Sequence, residues 1–174
     1  VIMAQSGMYV PSTTFSYVPY RQVFTRILNC DNLFKGLSTF TLEMSEMSNI
    51  LHYADKNSLV LGDELCSGTE IPSAMSIFLA GLKHLSSINT TFLFATHFHE
   101  LLNMEEIHEI KNMSFKHMRV RYDESNGSMI YDRKLHEGSG AQIYGLEVCK
   151  SLHLPEAFMN EAYKILNKYY PNSI

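Results

Sequence analysis

Two acids close an apolar run in Leu59-Val60-Leu61-Gly62-Asp63-Glu64. An apolar strand ending this way puts two carboxylates at the carboxyl edge of a parallel sheet, where such sheets bind ligands. In phosphoryl-transfer sites the Asp of such a pair holds Mg²⁺, usually through water. The next acid can take a proton from the attacking water. A strand ending in a solvated acidic turn would give the same pattern. A second apolar run ends in Thr96-His97-Phe98-His99-Glu100. There His97 sits where a neighbouring strand would emerge, within an imidazole's reach of a γ-phosphate. A metal site is the rival, but His-x-His followed by Glu lacks the i, i+4 helical geometry of H-E-x-x-H. A hydrogen-bonded structural histidine is the plainer alternative.

Gly36-Leu37-Ser38-Thr39-Phe40-Thr41-Leu42-Glu43-Met44 sets a glycine and two hydroxyl residues, Ser38 and Thr39, before a helix. Free N–H groups with Ser or Thr at a helix start form an anion site, or an ordinary N-cap. Glu64-Leu65-Cys66-Ser67-Gly68-Thr69-Glu70 is a polar, small-residue loop directly after the acidic strand, suited to touching a partner. The phosphate loop G-x-x-x-x-G-K-[ST] does not occur, and none of the nine glycines is followed by Lys. The chain thus has candidates for the metal and γ-phosphate sides but no cradle for the phosphates.

The elements that must position these groups follow from periodicity. Residues 1–8 read as the end of a helix whose beginning is missing, with Gly7 and Pro11 as its stop, so the chain is expected to be a fragment. Residues 23–28 are β-rich, and 29–38 are a polar loop. Met47, Ile50, Leu51 and Ala54 recur at helical spacing in 39–54. Residues 58–63 predict a buried parallel strand, 71–85 a helix with Pro72 in its first turn, and 90–96 another buried strand. Two such strands joined by a helix make a βαβ unit, hence an α/β fold with helices packed on a parallel sheet. Ser125-Asn126-Gly127 lies between two β-like runs in 113–135, a hairpin signal. Two helical stretches, 142–152 and 155–169, joined at His153-Leu154, have a helix-turn-helix shape.

The chain has 174 residues, 45% hydrophobic and 18% charged, an ordinary globular composition. Its formal net charge of -4 is unlike that of a domain that grips DNA backbone by itself, so any DNA would be held by another part of the protein. Cys30, Cys66 and Cys149 are far apart, which excludes a disulfide framework and suits a reducing, intracellular compartment. No apolar run approaches the ~18 residues of a membrane helix.

Taken in order, these motifs resemble the ATPase domain of MutS-family DNA mismatch-repair proteins, a branch of the ABC-type ATPases, over residues 1–166. Met3-Ala4-Gln5-Ser6-Gly7-Met8-Tyr9-Val10-Pro11 is similar to the segment beyond that family's phosphate-loop helix, and Phe24-Thr25-Arg26 to its next strand. Ser38-Thr39-Phe40 with Glu43-Met44 and Asn49-Ile50-Leu51 resembles its signature loop and helix. Asp63-Glu64 with Gly68-Thr69 resembles its Walker B strand and following loop, and Phe94-Ala95-Thr96-His97-Phe98 with Glu100-Leu101 its histidine switch. Tyr144-Gly145-Leu146 and the helices around it resemble its C-terminal helix-turn-helix, which serves dimerisation.

The resemblance implies a P-loop NTPase sheet of ABC type with packed helices over 1–137 and a helix-turn-helix dimerisation element over 138–174. It implies ATP and Mg²⁺, with Asp63 holding the metal and Glu64 activating water. His97 would sense the γ-phosphate, Ser38 (beside Thr39) would contact nucleotide on the partner subunit, and Thr69 would lie in the inter-subunit loop. The implied partners are a second MutS-type subunit and mismatched double-stranded DNA, the latter through other domains. Without a phosphate loop the fragment itself is expected to be inactive. A degenerate, non-hydrolysing dimerisation module is the alternative. An ABC-type ATPase of chromosome maintenance would carry a different signature loop. Cys66-Ser67 and Glu70 replace the more usual Gly-Arg and Ser, a variant similar to the branch in large DNA viruses and organelle genomes.

Overall fold

A computed structural model describes residues 1–27, 39–123, 125–140 and 145–170. The chain forms two compact units, Val1–Asn112 and Met113–Ile174.

The first unit is a three-stranded parallel sheet in the order β1-β2-β3, built from β1 (Gln22–Arg26), β2 (Ser58–Asp63) and β3 (Thr91–Ala95). Helix α2 (Thr39–Tyr53) joins β1 to β2, and α3 (Ile71–Ser87) joins β2 to β3. A short helix, α1 (Ile2–Gln5), precedes them and ends on Gly7 at φ +75°, a left-handed position that suits glycine. Strands adjacent in both sequence and space, each joined by a right-handed crossover, put their helices on one face of the sheet. The core follows that rule: Ile50 and Ala54 of α2, Leu85 of α3 and Val60 of β2 cluster with Phe24, Ile88, Phe92 and Phe94.

With a neighbour on each side, β2 is buried along nearly its whole length, as its continuous apolar run predicts. The expectation of a buried strand at 90–96 needs correction. In β3, exposed and half-buried residues alternate, and Leu93 is 65% exposed. Among the described residues this strand is an edge, and the face bearing Phe92 and Phe94 packs on the helical layer. Among the described residues nothing covers Leu93.

After β3 come a 3-10 turn (His99–Asn103) and the short α4 (Glu105–His108), which buries Ile107. In the second unit β4 (Lys116–Asp123) and β5 (Ser128–Glu137) form the antiparallel hairpin that Asn126-Gly127 predicts, with Gly127 at φ +65°. Two helices follow, α5 (Gly145–Ser151) and α6 (Glu156–Tyr169), with His153 at φ +56° between them. The hairpin belongs to the same compact unit as these helices. The expected loop at 29–38 and the expected first turn at 142–144 lie outside the described residues. Among the described residues no helix is long and apolar enough to cross a membrane.

Candidate functional site

The parallel register sets Asp63 of β2 beside Ala95 of β3, so the segments leaving both strands emerge together. The first turn after β2 is tight. Gly62 lies so close to its neighbours that a Cβ there would stand 2.7 Å from the Phe94 ring and 2.8 Å from Leu65. Only glycine lets β3 and the returning chain close in at that point. Glu64 then adopts φ +49°, a left-handed conformation that a non-glycine residue holds only when its surroundings impose it. Its N–H donates to Ala95 O at 3.0 Å, extending the ladder one residue past the strand.

This turn carries the Glu64 carboxylate to His97. Glu64 Oε1 and His97 Nε2 are 2.8 Å apart. A carboxylate offers only acceptors, so the imidazole Nε2 carries the proton of this bond. Both side chains remain open to solvent, His97 at 82% and Glu64 at 46%, and Asp63 beside them is exposed. The two strand-end motifs thus meet at one sheet edge. The sequence aimed His97 at a phosphate; the side chain it touches is Glu64.

Ser38 lies outside the described residues, as does the side chain of Thr39, which opens α2. The start of α2 nevertheless adjoins the loop after β2: a Cβ on Gly68 would stand 3.2 Å from Phe40 Cβ and 3.5 Å from its backbone. Thr69 follows in that loop, half-buried, its hydroxyl donating to Glu70 Oε2 at 2.5 Å. The Ser73 hydroxyl donates to the other oxygen, Oε1. Among the described residues no three His, Cys, Asp or Glu side chains gather where they could hold a metal ion.

One polar residue of this region was passed over in the sequence as a motif letter. Glu43 of α2 is 3% exposed, and its Oε1 accepts the Cys66 N–H at 2.6 Å. The signal was readable, since Glu43 shares the core stripe of α2 with Met47, Ile50 and Ala54, at i, i+4, i+7 and i+11. A carboxylate on a core stripe needs a buried donor. Cys66 is fully buried, and burial first, then the nearby Glu43 charge, pushes its thiol up to about 11. Arg26, also buried, pairs with Glu46 of the same helix at 2.9 Å.

Residues 1–170 match the family MutS domain V. The chain belongs to that family. It is 44% identical, over its whole length, to a DNA mismatch repair protein mutS homolog of Acanthamoeba polyphaga mimivirus, of which it covers 16%. Over 94% of the chain it is 40% identical to a mitochondrial DNA mismatch repair protein mutS homolog of Sarcophyton glaucum, again covering 16% of that protein. The DNA mismatch repair protein MutS of Finegoldia magna is 40% identical over 96% of the chain, which covers 19% of it. This MutS domain V chain therefore spans less than a fifth of the length of these relatives.

Glu70, where the loop enters α3, gives this MutS domain V chain an acid-sensitive joint. The Ser73 and Thr69 hydroxyls draw its carboxyl from 4.5 down to about 2. A group whose folded pKa is depressed contributes stability that is present above its unfolded value and is lost as pH falls toward its folded value. The contribution of Glu70 should thus fade between pH 4.5 and about 2. Asp55, Asp123 and Asp132 are depressed as well, so the whole chain loses stability on acidification. Urea unfolding midpoints across that range should fall less steeply for Glu70→Gln than for the wild type. Equal slopes would show that the hydroxyl pair does not hold the carboxylate in solution.

Proposed function

We propose that this chain supplies the hydrolytic edge of an ATPase that couples nucleotide state to mismatched-DNA binding in a longer mismatch-repair protein. The observation that carries the proposal is the Glu64–His97 pair at the carboxyl edge of a parallel sheet, beside the exposed Asp63, in a chain of the MutS domain V family. The sheet would be of the P-loop, ABC type, and ATP the substrate.

Glu64 would accept a proton from the water whose oxygen attacks the γ-phosphorus, as the bond from that phosphorus to the β-bridging oxygen breaks. His97 occupies Oε1 of Glu64 and turns the carboxylate, leaving Oε2 for the water. From the same edge His97 would also meet the γ-phosphate, and breaking its bond to Glu64 would let it report nucleotide. The donor set suits Mg²⁺, a hard cation that keeps several waters and takes one or two carboxylates plus phosphate oxygens rather than an all-protein cage. Asp63 would hold it through water, and the metal would supply neutralisation of phosphate charge. Ser38 and Thr39 would meet the nucleotide of a partner subunit, with Thr69 in the loop between subunits.

Helices α5 and α6 would form the helix-turn-helix dimerisation element. Leu152, Phe158 and Ile165, each at least half exposed, offer apolar surface that two short helices cannot bury on each other. A second MutS-type subunit is the proposed partner. Mismatched DNA would be held by other domains, in keeping with the chain's net charge of -4.

In the full-length protein, Asp63→Asn should weaken ATP binding about tenfold or more in Mg²⁺, the scale of a lost charge-assisted contact, and leave binding in EDTA unchanged. Titration calorimetry under both conditions checks it. Equal binding by variant and wild type in Mg²⁺ would remove the metal role from Asp63.

A further inference from the structure

The loop after β2 is held by a side chain from outside it. Residues 64–70 contain two left-handed, non-glycine positions, Glu64 at φ +49° and Cys66 at φ +67°. Such positions persist only where neighbours over-determine them. Leu65, 1% exposed, anchors the loop on one side against Gly62. On the other side Glu43 reaches from α2, 23 residues earlier in the chain, to take the Cys66 N–H at 2.6 Å. Gly68 then rests on Phe40 at the start of the same helix. The loop is thereby fastened to α2 at two points, one polar and one steric.

We propose that Glu43 is a positioning residue, clamping the loop after β2 to α2 so that Glu64 is presented at the sheet edge for hydrolysis. The last clause rests on the ATPase function proposed above; the clamp itself does not. Cys66 is fully buried, so without the Glu43 oxygen its N–H would be an unsatisfied buried donor. The loop would have to turn that N–H toward water, which abandons the left-handed turn and moves Glu64, two residues earlier. A carboxylate oxygen can be replaced by an amide oxygen in this task, because accepting an N–H requires geometry rather than charge. The clamp also joins the base of the proposed reaction to the helix whose start carries the signature motif, so a shift of α2 would reach Glu64 through this hydrogen bond as well as through the Gly68–Phe40 contact.

The test uses the full-length protein with Glu43→Gln, Glu43→Ala and Glu43→Asp, the last retaining the charge on a side chain one methylene too short. Alkylation of Cys66 by iodoacetamide, followed by peptide mass spectrometry, reports the clamp without reference to any activity. Wild type and Glu43→Gln should stay protected. Glu43→Ala and Glu43→Asp should react about tenfold faster or more, the scale of one unmade buried hydrogen bond. Steady-state ATP turnover should show kcat down roughly a hundredfold in Ala and Asp with KM little changed, as for a misplaced catalytic group, and recovery in Gln. If Glu43→Ala does not fold by circular dichroism, Glu43→Asp carries the comparison. Protection of Cys66 in the unclamped variants overturns the clamp. Exposure of Cys66 with kcat intact overturns the positioning role. A wild-type protein without ATPase activity overturns the proposed function, and alkylation alone then judges the clamp.

Discussion

Replacing Glu64 by Gln in the full-length protein should slow ATP turnover by roughly two to four powers of ten, the usual contribution of a positioned proton acceptor, while nucleotide binding stays near the wild-type level. The amide keeps the shape of the side chain and can still accept the His97 Nε2 proton, so the 2.8 Å contact and the left-handed turn at φ +49° are retained. It cannot take a proton from water. A variant that binds and does not turn over would separate the chemical step from assembly of the site. Single-turnover hydrolysis with a parallel binding titration makes the measurement. Normal turnover would exclude Glu64 as the base, and loss of binding would make the residue structural.

The elements that position this edge were legible because their patterns are strong. Leu59-Val60-Leu61-Gly62 of β2 run without a polar break to Asp63, and the spacing of Met47, Ile50 and Ala54 marks the buried stripe of α2. Asn126-Gly127 located the hairpin turn. The burial of β3 was misread because Phe92-Leu93-Phe94 has the composition of a strand covered on both faces. Composition does not say that both crossover helices lie on one side, leaving Leu93 outward.

At the site, the meeting of the two strand ends followed from the parallel sheet, but the Glu64–His97 bond did not. It depends on the left-handed backbone at Glu64, and left-handed turns are read in sequence from glycine or asparagine. Here the loop places Glu64 and Cys66 in that conformation and spends its glycine, Gly68, on close packing with Phe40. The spacing of α2 marks Glu43 as a carboxylate on the buried stripe, but not its partner, which is a backbone N–H 23 residues away, and a backbone donor leaves no trace in residue types.

Subunit mixing tests most directly whether the proposed ATP site is completed by two chains. Ser38→Ala should lower turnover with little loss of nucleotide binding, because an anion contact from a partner's helix start matters most once the dimer closes over the developing charge. Subunits carrying Ser38→Ala are combined with subunits carrying Glu64→Gln, each parent nearly inactive by itself, with subunit exchange confirmed by a label. If Ser38 serves the partner's nucleotide, a mixed dimer has one site with both defects and one with neither, and turnover should recover to about a quarter of the wild-type rate, since half the dimers of an equal statistical mixture are mixed and each has one intact site of two. If Ser38 serves its own chain's nucleotide, every site keeps one defect. Recovery on mixing is the predicted result; no recovery, with exchange confirmed, would contradict it.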